Sequence, residues 1–147
     1  MQDCHPVLLK NLTMKENLKS MLAELSGQSQ TEIRLTCRDD MFLVDPYYAL
    51  VFRMIRELIQ NALKYADAFL IRVFLDEEKG MITLRIHDDG IGFDTEISPG
   101  HGLASIQEQT ELLGGRMHIQ SASGQGTTAE ITIPMEGDRS YEDFISR

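Results

Sequence analysis

The segment that most restricts the fold is a long stretch with the apolar spacing of an α-helix, residues 46–66, which reads PYYALVFRMIRELIQNALKYA. At 100° per residue, its apolar side chains fall on one broad arc that should face a protein core: Val51, Ile55, Leu58, Ile59, Ala62 and Ala66. Asp45 is placed to cap this helix and Pro46 to begin it. A helix with so wide an apolar face has to pack against a second layer of structure.

The other elements are predicted from similar patterns. Residues 7–25 carry leucines at roughly helical spacing, with Thr13 either interrupting or capping that helix. A second short helix, ended by a Gly-Gly pair, is predicted at residues 103–114. Alternating apolar residues predict strands at residues 31–37, 68–75, 81–88, 116–123 and 127–134. The loop DEEKG joins the second and third of these strands. This order predicts an α/β two-layer sandwich, in which a mixed β-sheet has its helices packed on one face.

Composition excludes several classes of protein. The chain has 147 residues, near the usual size of one domain. Its net charge of -9 argues against a general nucleic-acid surface, because phosphate backbones require clustered lysine and arginine. Cys4 and Cys37 have no CxxC spacing and indicate ordinary thiols in a reducing compartment. The first residues lack the order of a signal peptide, and no apolar run is long enough to span a membrane, so we expect a soluble, cytoplasmic domain without membrane contact.

The long helix also carries a polar stripe. Glu57 and Asn61 are four residues apart and emerge from one face, and Lys64 extends that stripe by another turn. A carboxylate, a carboxamide oxygen and an ammonium group in this arrangement suit a Mg²⁺ ion with its waters and a polyphosphate. The same stripe is typical of the solvent-exposed face of any amphipathic helix, so spacing alone leaves both interpretations open.

Three loops combine glycine with polar residues. Asp88, Gly90 and Gly92 follow a predicted strand, where the carboxylate can accept a hydrogen bond from an exocyclic amine and the glycines allow close approach of a flat ligand. Residues 100–103, GHGL, lead into a helix whose free N–H groups suit a phosphate. Residues 124–128, GQGTT, form a third such loop, which a simple hairpin turn also explains. The Asp-Gly pair at residues 89–90 is likewise common in tight turns that bind nothing. Together the stripe and the loops offer a hydrogen-bond acceptor for a base, hydrogen-bond donors for phosphates and a ligand for a metal ion.

Four segments, in this order, resemble the motifs of the GHKL ATPases, in particular the catalytic ATP-binding domain of two-component sensor histidine kinases. RELIQNALKYA resembles the N box, DDGIGF the G1 box, GHGLASI the G2 box and GQGTTAEITIP the closing Gly-Thr strand. The helix that begins with Gly-Leu and ends with Gly-Gly is most similar to kinases whose regulators carry LuxR-type output domains. The resemblance implies a Bergerat-type fold, with residues 1–28 as a helical linker remnant, 29–136 as the catalytic domain and 137–147 as a polar tail.

The resemblance also implies roles for single residues. Asn61 would coordinate Mg²⁺, Lys64 would lie near the phosphates, and Glu57 would orient or polarise the attacking group. Asp88 would accept the adenine amino group, with Thr127 close to the base through its hydroxyl or a water.

The remaining implied contacts belong to the glycine loops. Residues 94–100 would form a short lid over the nucleotide. The chain would approach the base and the phosphates at Gly90, Gly92, Gly100, Gly102 and Leu103.

The implied reaction transfers the γ-phosphoryl group of ATP to a histidine on a separate dimerisation domain, and from there to a response regulator. The acceptor histidine is absent from this chain, because His5 precedes Pro6, which would disrupt the expected helical hairpin. Two other hypotheses stay open at this point. One is a stand-alone GHKL serine kinase that acts as an anti-sigma factor, and the other is a nucleotide-binding contact module without phosphotransfer.

Overall fold

The computed structural model describes residues 13–27, 29–92 and 103–135. In these residues the chain forms helices and strands in the predicted order. The helices are α1 (Met14–Ser26), α2 (Tyr47–Tyr65) and α3 (Leu103–Leu112), and the strands are β1 (Glu32–Cys37), β2 (Leu70–Glu78), β3 (Met81–Asp88), β4 (Arg116–Ser121) and β5 (Thr127–Pro134). No helix within these ranges has the length and apolar character needed to cross a membrane.

The strands form one sheet in the order β1-β2-β3-β5-β4. β1 and β2 are parallel, whereas the other neighbouring pairs are antiparallel, so the sheet is mixed. Along β3, buried and more exposed residues alternate, and the buried side chains Ile82, Leu84 and Ile86 join the same core as the helices. α1 packs on β1, α2 on β3, and α3 on β4 and β5. The predicted two-layer α/β sandwich with helices on one face is confirmed.

α2 supplies the middle of the core. The predicted apolar arc is confirmed, since Val51, Ile55 and Ile59 are almost fully buried. Phe52 and Met54 are buried as well, so the arc is wider than the pattern predicted. The prediction that Asp45 caps α2 is wrong: the helix begins at Tyr47, so Pro46 takes the cap position and provides no side-chain acceptor.

Thr13 caps α1 and does not interrupt it. Its hydroxyl accepts a hydrogen bond from the Glu16 N–H at 3.1 Å, and its own N–H donates to the Glu16 carboxylate at 2.9 Å. The resulting capping box starts the helix at Met14, and residues 7–12 of the predicted helix lie outside the described residues. Leu18 is fully buried in the same core as α2, so the boundary predicted at residue 28 separates elements that share one core.

The turn between β2 and β3 is shorter than the predicted DEEKG loop. Asp76 and Glu77 continue the strand ladder, and only Lys79 and Gly80 form the turn. Both turn residues have positive φ, 53° and 80°, as a two-residue type I′ hairpin requires. This hairpin lies at the end of the sheet opposite Asp88.

Candidate functional site

Asp88 is the last residue of β3 and one of the few buried polar side chains among the described residues, with 5% exposure. It lies between Ile71 of β2 and Thr127 of β5 in the sheet register. Its carboxylate accepts a hydrogen bond from the Gly90 N–H at 2.9 Å and a further one from the Thr127 backbone N–H. Burial raises the pKa of Asp88, and these two donors only partly offset that rise. The group is thus a buried acceptor at the edge of the sheet.

The neighbouring Asp89 has a different role, which the sequence analysis did not assign. One oxygen of its carboxylate accepts hydrogen bonds from the N–H groups of Phe69 and Leu70, at 2.9 and 3.1 Å. Both hydrogen bonds lower the pKa of Asp89, and the one from Leu70 has the larger effect. Partial desolvation opposes this shift without cancelling it. Asp89 therefore ties the end of β3 to the start of β2 and holds the backbone beside Asp88 in place.

Main-chain contacts at three glycines join the loops around Asp88. A Cβ atom at Gly90 would overlap the carbonyl oxygen of Ala66, directly after α2, and the adjacent Ile91 N–H donates to that same oxygen at 2.7 Å. A Cβ at Gly92 would overlap the Ala122 carbonyl, and one at Gly126 would overlap the carbonyl of Asp88 itself. Only glycine allows backbones to approach this closely. Gly90 and Gly92 were predicted from the sequence to make room for a base, whereas here they make room for neighbouring backbone.

The polar stripe of α2 borders a cleft of about 570 Å³ between α2 and the C-terminal end of α1. Glu57, Asn61 and Lys64 all line this cleft, so the prediction that they share one face is confirmed. The other lining residues come from both helices and from the turn after α1: Leu25, Ser29, Arg53, Arg56, Gln60 and Leu63. Neither arginine was assigned a role from the sequence.

The cleft is positively charged, although the chain as a whole is acidic. Arg53, Arg56 and Lys64 line it and form no ion pair within residues 13–27, 29–92 and 103–135, and Glu57 is its single carboxylate. Unpaired cations grouped at a concave surface attract anionic ligands.

The loop after Asp88 contacts the C-terminal end of α2, the helix that carries the polar stripe. Asp88 does not line the cleft, but Gly90 and Ile91 contact Ala66, which follows the helix directly. With a rise of about 1.5 Å per residue, Asn61 lies about 7.5 Å along the helix axis from Ala66. The loop after Asp88 is therefore joined to the helix that carries the stripe.

Other predicted site residues have different surroundings. The Thr127 hydroxyl lies 2.7 Å from the Ser121 hydroxyl, so its hydrogen-bonding capacity is partly used within the sheet. Leu103 begins α3, and its side chain packs against the core. Gly100, Gly102 and the lid predicted at residues 94–100 lie outside the described residues.

Known proteins share both the sequence and the fold. A family model described as histidine kinase-, DNA gyrase B-, and HSP90-like ATPase matches residues 48–137, more than half of the chain. The chain therefore belongs to this family of ATPases, and the predicted resemblance to the ATP-binding domain of sensor histidine kinases is confirmed.

Individual relatives agree with the family. Sensor histidine kinase ComP from Bacillus subtilis (strain 168) is 31% identical over 142 residues, which cover 91% of this chain and 18% of ComP. Sensor protein VraS from Staphylococcus aureus (strain COL) is 28% identical over 141 residues, which cover 94% of this chain and 40% of VraS. The chain thus spans less than half the length of these relatives. The histidine kinase domain of the Erythrobacter litoralis EL346 blue-light activated histidine kinase superposes with a TM-score of 0.69 at 16% identity, covering 92% of this chain and 69% of that one, which shows the fold.

Proposed function

We propose that this chain binds Mg-ATP and donates its γ-phosphoryl group to a histidine on a separate dimerisation domain, as the catalytic domain of a sensor histidine kinase. The observation that supports the proposal is the contact at Ala66, where the loop after the buried Asp88 meets the end of the helix that carries the polar stripe. Membership of the ATPase family supports ATP as the ligand.

Asp88 has the chemistry to select adenine. An ionised carboxylate has about four acceptor positions, of which the N–H groups of Gly90 and Thr127 use two. The remaining positions suit the exocyclic amino group of adenine. Guanine presents a carbonyl oxygen at the matching ring position, and two acceptors facing each other without a proton repel. Asp88 therefore selects ATP over GTP.

The residues of α2 fit a Mg²⁺ ion that is shared with the phosphates. Within the described ranges no three His, Cys, Asp or Glu side chains form a metal cluster. Mg²⁺ does not require one, because it commonly takes one or two protein oxygens and completes its shell with waters and phosphate oxygens. The Asn61 carboxamide oxygen supplies such a ligand, and Glu57, one turn away, faces the same cleft. When bound, the ion neutralises phosphate charge.

The protein's own part in the reaction is positioning and charge. Lys64 places its ammonium group beside the phosphates, and Glu57 orients the incoming acceptor. Phosphoryl transfer depends mainly on such placement, with little covalent chemistry from the enzyme. The acceptor histidine and the response regulator are separate partners, and we place the domain in the cytoplasm, as part of a longer sensor.

Replacement of Asn61 by alanine is expected to remove most of the gain in ATP affinity that Mg²⁺ provides. Loss of one ligand to a charged ion corresponds to about a tenfold weaker Mg²⁺-dependent gain. The measurement is displacement of a fluorescent ATP analogue, in Mg²⁺ and in EDTA. Gln120→Ala, exposed on β4, serves as the matched control. An Asn61→Ala protein that keeps the full Mg²⁺ gain contradicts the assignment.

Transfer itself is tested by incubating the chain with γ-labelled ATP and the histidine-bearing dimerisation domain of the same sensor. We expect acid-labile, base-stable label on that domain, as phosphohistidine gives. Acid-stable label, typical of phosphoserine, contradicts the proposal and favours the anti-sigma kinase hypothesis. Nucleotide binding with no label on the domain favours the contact-module hypothesis.

A further inference from the structure

The helix-facing side of the sheet ends in a row of three polar side chains, the polar row: Asp88, Thr127 and Ser121. They lie side by side on β3, β5 and β4, because Thr127 is the register partner of both Asp88 and Ser121. Side chains at directly opposite positions of antiparallel strands are neighbours on the same face. The next row inward on this face is apolar and consists of Ile86, Ala129 and Ile119. The polar row therefore marks the place where the core face gives way to hydrogen-bonding groups.

The two hydroxyl groups of the polar row form a chain that ends at a backbone carbonyl. The Ser121 Oγ atom lies 2.7 Å from the Thr127 Oγ1 atom and 3.2 Å from the carbonyl oxygen of Gly126. A carbonyl only accepts, and each hydroxyl has a single proton to donate. If Thr127 donates to Ser121, the Ser121 proton is left for the carbonyl of the buried Gly126, and both bonds form. The opposite direction makes only one of the two bonds, so the first direction is favoured.

The direction of this chain decides what Thr127 offers to a ligand. Its only proton is used toward Ser121, so its oxygen keeps nothing but acceptor positions for other partners. The ionised carboxylate of Asp88, on the neighbouring strand, is an acceptor as well. Two acceptors side by side match an amino group, which has two N–H donors and reaches them directly or through a water. A carbonyl oxygen in the same place has no proton for either of them.

We propose that Ser121 is a positioning residue, which keeps Thr127 an acceptor toward the nucleotide base and so strengthens the selection of an amino group over a carbonyl. The inference rests on the proposed function, because it takes Asp88 as the residue that reads the base. Ser121 was assigned no role from the sequence, and it acts through Thr127 without touching the nucleotide. In its absence, the Thr127 proton can turn toward the ligand and donate to a carbonyl oxygen.

The test compares ADP with inosine diphosphate, whose base has a carbonyl in place of the amino group. The affinity of each is measured by displacement of a fluorescent ADP analogue in the presence of Mg²⁺. Ser121→Ala and Ser121→Val lack the hydroxyl, whereas Ser121→Thr keeps it. Thr128→Ala is the matched control, because the Thr128 hydroxyl bonds to His87 on the opposite face of the same strand. Thr127→Val, alone and combined with Ser121→Ala, completes a double-mutant cycle, and melting curves check that each variant is folded.

We expect the ratio of ADP affinity to inosine diphosphate affinity to fall about tenfold in both variants without the hydroxyl, an effect of the size of one hydrogen bond. Ser121→Thr and Thr128→Ala should keep the wild-type ratio within about twofold. In the Thr127→Val protein, the further change Ser121→Ala should leave the ratio as it is, because Ser121 acts only through the Thr127 hydroxyl.

Two results overturn the inference. One is an unchanged ratio in folded Ser121→Ala and Ser121→Val, which would limit Ser121 to a structural role. The other is an equal fall caused by Ser121→Ala in the Thr127→Val protein, which would show that the effect does not pass through Thr127. A wild type that binds neither nucleotide, or both equally, contradicts the proposed function itself before any variant is compared.

Discussion

Asp88→Asn is expected to weaken ADP binding about 100-fold while the protein stays folded. The substitution replaces an acceptor with an amide whose NH₂ group faces the exocyclic amine of adenine, so a buried donor is left without a partner. Loss of a charge-assisted hydrogen bond together with an unsatisfied buried donor accounts for an effect of this size. The measurement is calorimetric titration with Mg-ADP at pH 7.5.

The adjacent carboxylate provides the control for this prediction. In Asp89→Asn, the carboxamide oxygen can still accept the hydrogen bonds from Phe69 and Leu70, so ADP affinity should change only slightly. Equal losses in the two variants would show that the region responds to charge in general, and Asp88 would lose its role in reading the base.

The same residue sets the pH dependence of binding. ADP requires the ionised carboxylate, and burial raises the folded-state pKa of Asp88 above its usual 3.8. Affinity is therefore complete above that raised pKa and falls as the pH drops through it, earlier than for an exposed aspartate. In Asp88→Asn this dependence should disappear.

The second large effect is expected at Gly126. This glycine has φ of +82°, and a Cβ there would overlap the carbonyl oxygen of Asp88. Gly126→Ala should lower the free energy of unfolding by about 2–5 kcal/mol, of which about 1–2 kcal/mol comes from the left-handed backbone and about 1–3 kcal/mol from overpacking. Urea unfolding, followed by circular dichroism, measures the difference.

Gly124 separates these two causes. It has φ of +80°, nearly the same as Gly126, but a Cβ there meets no atom within 4 Å. Gly124→Ala should therefore show only the backbone cost, about 1–2 kcal/mol. If both variants lose the same stability, the close approach between Gly126 and the Asp88 carbonyl does not constrain the loop.

Much of this fold was predictable because its signals are local. The 3.6-residue spacing in α2 and the alternation in β3 each identify a buried face without knowledge of the partner layer. The predictions that Asp45 caps α2 and that DEEKG forms a loop were wrong in detail. The ends of helices and strands depend on where the hydrogen-bond ladders and caps end in three dimensions. Asp76 and Glu77 resemble a loop in sequence, yet Ile82 and Thr83 pair with them.

The residues of the proposed site could be named from the sequence, but their arrangement could not. The period of two along β3 places Asp88 on the buried face with Leu84 and Ile86, but the sequence does not show what each of the two adjacent aspartates contacts. Here register decides it, because Asp88 lies opposite Thr127 and Asp89 turns back to the start of β2. Neither Arg53 nor Arg56 was assigned a role from the sequence, although Arg56 begins the segment RELIQNALKYA, and only the cleft between α1 and α2 relates both arginines to the polar stripe.

The most direct test of the central claim is calorimetric titration of the purified chain with ADP and with GDP, each with and without Mg²⁺. We expect that ADP binds, that Mg²⁺ strengthens its binding, and that GDP does not bind. Such a result supports base selection by Asp88 and metal binding by Asn61 in one experiment. Absence of ADP binding, or equal affinity for ADP and GDP, would contradict the account.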